Sequence, residues 1–218
     1  MSVDEVIRRL PEISIVQDRS RAMAMLDAIM SPEWESRFFS FDSQWAPKEE
    51  MASMRDGCGN EYSIVFSLAG AFARGFDHEC YQWDPPAIRP DLIHRVPEAF
   101  RAQLEEPAFC DDGALRATVC FWREHEDAAW SSVVVQILPD GEECASAEWL
   151  FEVLLDGSPE GYQRFAQEYF EVEMDLEAVR HIYALRPLTQ SVVSSLNPDV
   201  SLASLAGDIA EIGYPVTG

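Results

Sequence analysis

The residues of this chain best equipped for chemistry are Asp77-His78-Glu79-Cys80, which place two metal-capable side chains and two carboxylates within four positions. Zinc wants three or four ligands of this kind, so the others would have to come from afar, from His125 or Cys58. A small metal-dependent enzyme or metal-binding protein using Asp77, His78, Cys80 and His125 is therefore one reading. The ordinary reading makes His78 a strand-end histidine satisfied by a neighbour. His125, amid Glu124, Glu126 and Asp127, then sits on a solvated turn. Cys58 lies between Gly57 and Gly59, where backbone N–H groups could stabilise a thiolate, but Asp56 and Glu61 raise a thiol pKa and no base is placed beside it. No GxSxG, HExxH, P-loop or GxGxxG pattern is present. No catalytic residue, metal site or cofactor is assigned from these residues.

Charge narrows the partner classes. The 218 residues carry a formal net charge of -23, unevenly spread: residues 1–100 hold 17 acids and 10 bases, residues 101–218 hold 22 and 6. Such a surface repels phosphate backbones and anionic lipid headgroups, which disfavours nucleic acid and membrane surfaces and favours a basic protein partner. The plainer alternative is that the charge only keeps the protein soluble. Acidic clusters such as Glu124, Glu126 and Asp127 fall in expected turns, available to steer a partner. Tyr81 and Trp83, in a loop with Pro85, Pro86 and Pro90, are residue types that protein–protein hot spots use, and they equally pin loops down. No apolar run approaches the roughly 20 residues that span a bilayer. Five cysteines in odd number at irregular spacing, with no CxxC, predict free thiols in a reducing compartment, and so a cytoplasmic monomer or weak dimer.

The elements that must position these residues form an α+β pattern. Met51 to His78 reads as a β-meander punctuated by Asp56-Gly57-Cys58-Gly59-Asn60 and Ala69-Gly70, glycine supplying the φ > 0 that tight hairpin loops need. Tyr62, Ile64 and Phe66 alternate with Ser63, Val65 and Ser67 as in a half-buried strand. With Arg37 to Trp45, Ala52 to Arg55 and Ala71 to Phe76, this predicts an antiparallel sheet of about four strands with packed helices. Leu115 to Arg123 and Ser132 to Leu138 are further strand candidates.

Helices are expected over Val3 to Leu10, from an N-cap at Asp18 to Met30, over Leu92 to Leu104 with an interruption or restart at Pro97, which takes a first-turn position, and at Ser146 to Leu155, where strand periodicity competes. The C-terminal part, about 156–213, reads as a helical cluster appended to a mixed part, about 1–155, within a single domain. Ser158-Pro159 caps a helix whose Tyr162, Phe165 and Tyr169 should pack inward. Asp175, Leu188 and Ser201 open three more.

The run Arg55-Asp56-Gly57-Cys58-Gly59-Asn60-Glu61-Tyr62, continued by Phe66 and Gly75-Phe76-Asp77-His78-Glu79, resembles the strand-turn-strand core of the SUKH superfamily of bacterial toxin-immunity proteins. The resemblance covers residues 51–79. It implies an α+β fold without catalysis that sequesters a cognate toxin. Two classes thus stand side by side: an immunity-like interaction protein covering a basic partner, and a small metal-dependent enzyme.

Overall fold

The two-glycine turn at 57–59 fixes the sheet's register. In a computed structural model, which describes residues 3–80, 94–134 and 146–216, Gly57 and Gly59 take φ of 76° and 104°. The Asp56 carboxylate closes the turn by accepting from the Cys58 and Asn60 backbone N–H groups at 2.7 and 3.0 Å. On either side run β2 (Glu49–Arg55) and β3 (Glu61–Phe66), paired antiparallel from Glu50↔Phe66 to Arg55↔Glu61. β1 (Phe39–Ala46) precedes them and β4 (Gly70–Phe76) follows. The sheet is larger than the expected four strands. After a two-stranded ribbon, β5 (Cys110–Asp111) with β6 (Ala114–Leu115), come β7 (Val119–Glu124) and β8 (Ser131–Val134), giving the order β1-β2-β3-β4-β7-β8. The fold is α+β, as the sequence suggests.

The strand expected over Leu115 to Arg123 is two pieces. Leu115 pairs back to Cys110, while β7 pairs with β4 from Val119 onward. The break is where Arg116 and Thr118 turn their bonding elsewhere: the Arg116 carbonyl accepts from Arg74, and Thr118 N–H donates to the Gly75 carbonyl at 2.8 Å.

Both faces of the sheet are covered, so the half-buried pattern expected for β3 is a fully buried strand in which Ser63 and Val65 are also inside. One face carries Phe39, Phe41, Tyr62, Ile64, Phe66 and Phe121 against the helices. The other carries Val65, Phe72, Cys120 and Trp122, covered by Phe100 and Leu104 of a 3-10 helix (Glu98–Leu104) with Phe109 and Leu115. The helix expected over Leu92 to Leu104 with an interruption or restart at Pro97 does restart there, as a 3-10 helix whose N-cap residue is Pro97. Residues 81–93, including Tyr81 and Trp83, and residues 135–145 lie outside the described residues.

The helical face begins with α1 (Val3–Arg9) and α2 (Ile13–Met30). Asp18 does not cap α2. The helix starts five residues earlier, directly after Pro11-Glu12, because Ile13 and Val16 extend the buried stripe of Met23, Leu26 and Ile29 by two turns. After α3 (Ser146–Leu150) and α4 (Glu152–Asp156), broken at Phe151, comes α5 (Pro159–Phe170), capped by the Ser158 hydroxyl, which accepts from Gly161 N–H. α6 (Leu176–Tyr183) is capped by Asp175 and α7 (Gln190–Leu196) by Thr189. α8 (Ala206–Ile212) starts after Leu205, and Ser201 closes only a preceding turn by accepting from Ser204 N–H.

One buried carboxylate ties three elements together. Asp27 of α2 is fully buried and accepts from the Phe38 and Phe39 backbone N–H groups, both at 2.8 Å, and from the Tyr162 hydroxyl at 2.6 Å. It thereby fixes where β1 begins and where α5 docks. Burial pushes its pKa up to about 6, against the pull of these three donors and of Arg37.

Candidate functional site

The residues singled out by sequence chemistry fall at opposite ends of the sheet. His78 follows β4 and its Nδ1 lies 2.8 Å from Asn60 Oδ1, beside the glycine turn. Asp77 is buried and its carboxylate accepts from Glu79 N–H at 2.9 Å. Cys80 is disulfide-bonded, whereas Cys58, Cys110 and Cys120 are free; Cys144 lies outside the described residues. This corrects the expectation of five free thiols, since spacing along the chain says nothing about which cysteines folding brings together, and it removes the premise for a reducing compartment. His125 sits at the other end, where its N–H donates to the Ala69 carbonyl and its Nε2 lies 3.3 Å from the Ser67 carbonyl. The seven residues of β4 separate it from His78, about 20 Å at 3.3 Å per residue. The four side chains of the metal reading do not converge, and a disulfide sulfur is no thiolate ligand. No group of three or more His, Cys, Asp or Glu able to hold a metal ion occurs among the described residues.

The His125 end is built from the β1–β2 hairpin, the β3–β4 turn, the β7–β8 turn and the start of α2. Between them lies a cleft of about 710 Å³ lined by Ile13, Trp45, Lys48, Phe66, Leu68 and His125, among others. Leu68 is 73% exposed on its rim. Three of the carboxylates here have internal partners. Glu50 accepts from Arg21 at 2.8 Å and also from Gln17, Glu49 from Gln103 at 3.3 Å, and Glu12 pairs with Arg123 at 2.8 Å. Of the expected steering residues, Asp127 is committed to its own turn, accepting from Glu124 N–H at 3.2 Å. The carboxylates of Glu124 and Glu126 have no partner among the described residues.

The glycine-turn end is different. Trp34, on a 3-10 turn before β1, is 46% exposed; Tyr169 in the last turn of α5 is 41% exposed, and Val172 just beyond it 42%. Trp34 and Tyr169 belong to one surface. The Arg55 guanidinium stacks 4.0 Å over the Trp34 ring, and Arg55 N–H donates to the Phe38 carbonyl at 2.8 Å. The Phe38 ring lies 5.1 Å from Tyr169. Burial, then the negative neighbours Asp27, Asp56 and Cys58, push the Tyr169 phenol pKa up, in keeping with its place beside the glycine turn. The inward stripe expected for α5 holds at Tyr162 and stops short of Tyr169. Phe165 packs under Phe38 and Phe39, at 4.8 and 5.3 Å, and Tyr169 then stacks on Phe165 with its outer face in solvent. Flanking these rings in sequence are Glu33, Glu35, Glu168, Glu171 and Glu173, all exposed and without a hydrogen bond or ion pair from their carboxylates among the described residues.

Sequence reasoning missed this surface. Its only signal was an apolar stripe running to the end of a helix between flanking acids, Glu168 and Glu171, a pattern that also fits packing. The chain matches no protein-family model, no curated protein and no solved structure in comparisons with each. No described helix is long and apolar enough to cross a membrane.

Proposed function

We propose that this is a non-enzymatic protein-binding protein, immunity-like in action, that covers a basic protein partner with its glycine-turn end. One observation carries the reading: Trp34 and Tyr169 are exposed at one end of the sheet, flanked in sequence by five exposed carboxylates that make no hydrogen bond or ion pair among the described residues. Trp and Tyr are the residue types that dominate binding energy at interfaces, since they desolvate much apolar area at little conformational cost. Unpaired acids around them repel acidic surfaces and accelerate encounter with basic ones. Glu124 and Glu126 at the far end add to the long-range field without touching the partner. The resemblance of residues 51–79 to toxin-immunity proteins makes a basic toxin, or a toxin's basic active site, the natural partner.

The test is affinity capture from a lysate on the immobilised chain, native against Trp34→Ala/Tyr169→Ala, followed by binding kinetics at low and high salt. Basic proteins should be retained by the native chain and lost by the variant, with association slowed by salt. Equal retention by both would sink the reading.

A further inference from the structure

Where α1 gives way to α2, against the β7–β8 turn, lies a pocket of about 300 Å³ lined by Arg8, Leu10, Pro11, Glu12, Arg123 and Trp130, among others. We propose that this pocket binds a small organic carboxylate, with the chain's own Glu12 holding the place until one arrives.

Three observations point to an anion. The first is Arg123, which lines the pocket although it is more than nine-tenths buried, at 8% exposed. A guanidinium carries five N–H donors and is costly to bury unless they are met. Here Nε donates to the Asp127 carbonyl at 3.1 Å and one Nη pairs with Glu12 at 2.8 Å, while the other Nη has no partner among the described residues. The second is Arg8, exposed at the pocket and likewise without a partner among the described residues. In a chain of net charge -23, the lining of this pocket holds two guanidiniums against one carboxylate. The third is the start of α2. An 18-residue helix begins directly after Glu12 with no side-chain cap and no acid in its first turn, which adds the positive end of its dipole at the same place.

The type of ligand follows from the surroundings. The charge of the whole chain repels an extended polyanion, which leaves a small ligand. Leu10, Pro11 and Trp130, whose indole N–H already donates to the Pro11 carbonyl at 2.8 Å, give it an apolar wall and so call for a short apolar body. The group it offers Arg123 is the one Glu12 now supplies. The Glu12 side chain is 67% exposed in that pair, and a pair so exposed is weak, so a ligand carboxylate can replace it. A carboxylate also fits the guanidinium fork, taking two N–H bonds side by side.

The experiment is an NMR titration of the 15N-labelled chain with 3-methylbutanoate, with its uncharged amide and inorganic phosphate as comparisons. The acid should shift the amides of Leu10, Glu12, Arg123 and Ala129 and the Trp130 indole in a saturable way, with a Kd of about 1 mM or tighter. The amide, which lacks the charge, and phosphate, which lacks the apolar body, should each bind at least about tenfold more weakly. Glu12→Gln releases Arg123 and should tighten binding at least about threefold, whereas Arg8→Gln should weaken it by a similar factor. Both changes are at exposed side chains, so the fold survives them. No saturable shift, shifts confined to other parts of the protein, equal binding of the amide or of phosphate, or either variant binding like the native chain would each overturn the proposal.

Discussion

The two ends of the sheet carry similar residue types and put them to different use. At the cleft end, Glu12 and Glu50 are ion-paired with Arg123 and Arg21 and Glu49 accepts from Gln103, while Glu124 and Glu126 at the rim of the sheet stay without a partner among the described residues. At the glycine-turn end the acids flanking Trp34 and Tyr169 hold nothing. The cleft end has the concavity, yet the glycine-turn end has the exposed rings. In a chain this acidic, the number of carboxylates says little about where a partner docks. Which of them lack an internal partner says more, because only those bring an undischarged field and an unmet hydrogen-bonding need to an encounter.

The sharpest way to break this comparison is to remove the support of each end in turn. Phe39 lies under the glycine-turn end, 4.9 Å from Phe38 and 5.3 Å from Phe165, while Phe66 lies under the cleft, 6.2 Å from Phe41. Phe39→Ala and Phe66→Ala should each cost about 3–5 kcal/mol by urea denaturation, the usual range for emptying a buried phenyl site. Under conditions where both stay folded, only Phe39→Ala should weaken partner capture. Loss of capture in Phe66→Ala would move the binding surface to the cleft.

The Asp27 clamp gives the next effect, and its sign runs against habit. Its carboxyl has a folded pKa of about 6 against an ordinary value of 3.8, so between those values the folded state binds the extra proton. Its contribution to stability is therefore fully present below about pH 4 and is lost as pH rises through 6, a swing of about 3 kcal/mol at 1.36 kcal/mol per pK unit. Asp27→Asn keeps an acceptor for the Phe38 and Phe39 N–H groups and cannot titrate, so it should flatten that slope in denaturation series between pH 4 and 7. An unchanged slope would show that Asp27 is not the titrating group.

Much of this fold was legible in the chain, and the reasons divide cleanly. The meander was readable because Gly57 and Gly59 adopt φ values few other residues tolerate, and Ser158 and Asp175 mark helix starts by a local bond from side chain to backbone, whereas the Thr189 cap was not read. The start of α2 was not, because Glu12 makes no side-chain cap bond and Asp18 only looks like a cap. Nor were β7 and β8 placed in the main sheet, since pairing Val119 with Gly75 joins residues far apart in sequence. The binding surface was hidden for another reason: Tyr169 continues the periodicity of Tyr162 and Phe165, and only the position of Phe38, set by Asp27, decides that the stripe ends in solvent.

Charge steering separates the two ends on a smaller scale. Glu124→Gln/Glu126→Gln alters the cleft end without touching the rings, and should slow association with a basic partner by about two- to threefold at low salt while leaving dissociation unchanged. Trp34→Ala should do the reverse and speed dissociation. The charge effect should fade as salt shortens the Debye length to about 8 Å near physiological strength. A dissociation rate that responds to Glu124→Gln/Glu126→Gln would put the β7–β8 turn inside the interface.

The smallest effect tests whether the cleft end is shaped for something. The β1–β2 hairpin turns on two residues, Pro47 and Lys48, with Ala46 paired to Glu49. Proline fixes a negative φ, which excludes the primed turns that suit two-residue hairpins, and Lys48, the only lysine of the chain, is left at φ 68°. A side chain held in the left-handed region costs on the order of 1 kcal/mol, and asparagine tolerates that region better than lysine. Lys48→Asn should therefore raise stability by a few tenths of a kcal/mol in denaturant midpoint measurements. It should leave capture of a basic partner unchanged, because Lys48 lies at the end away from Trp34 and Tyr169. A stabilised variant with weakened capture would mean that the strain at Lys48 is kept for binding, and the cleft, rather than the glycine-turn end, would become the surface to pursue.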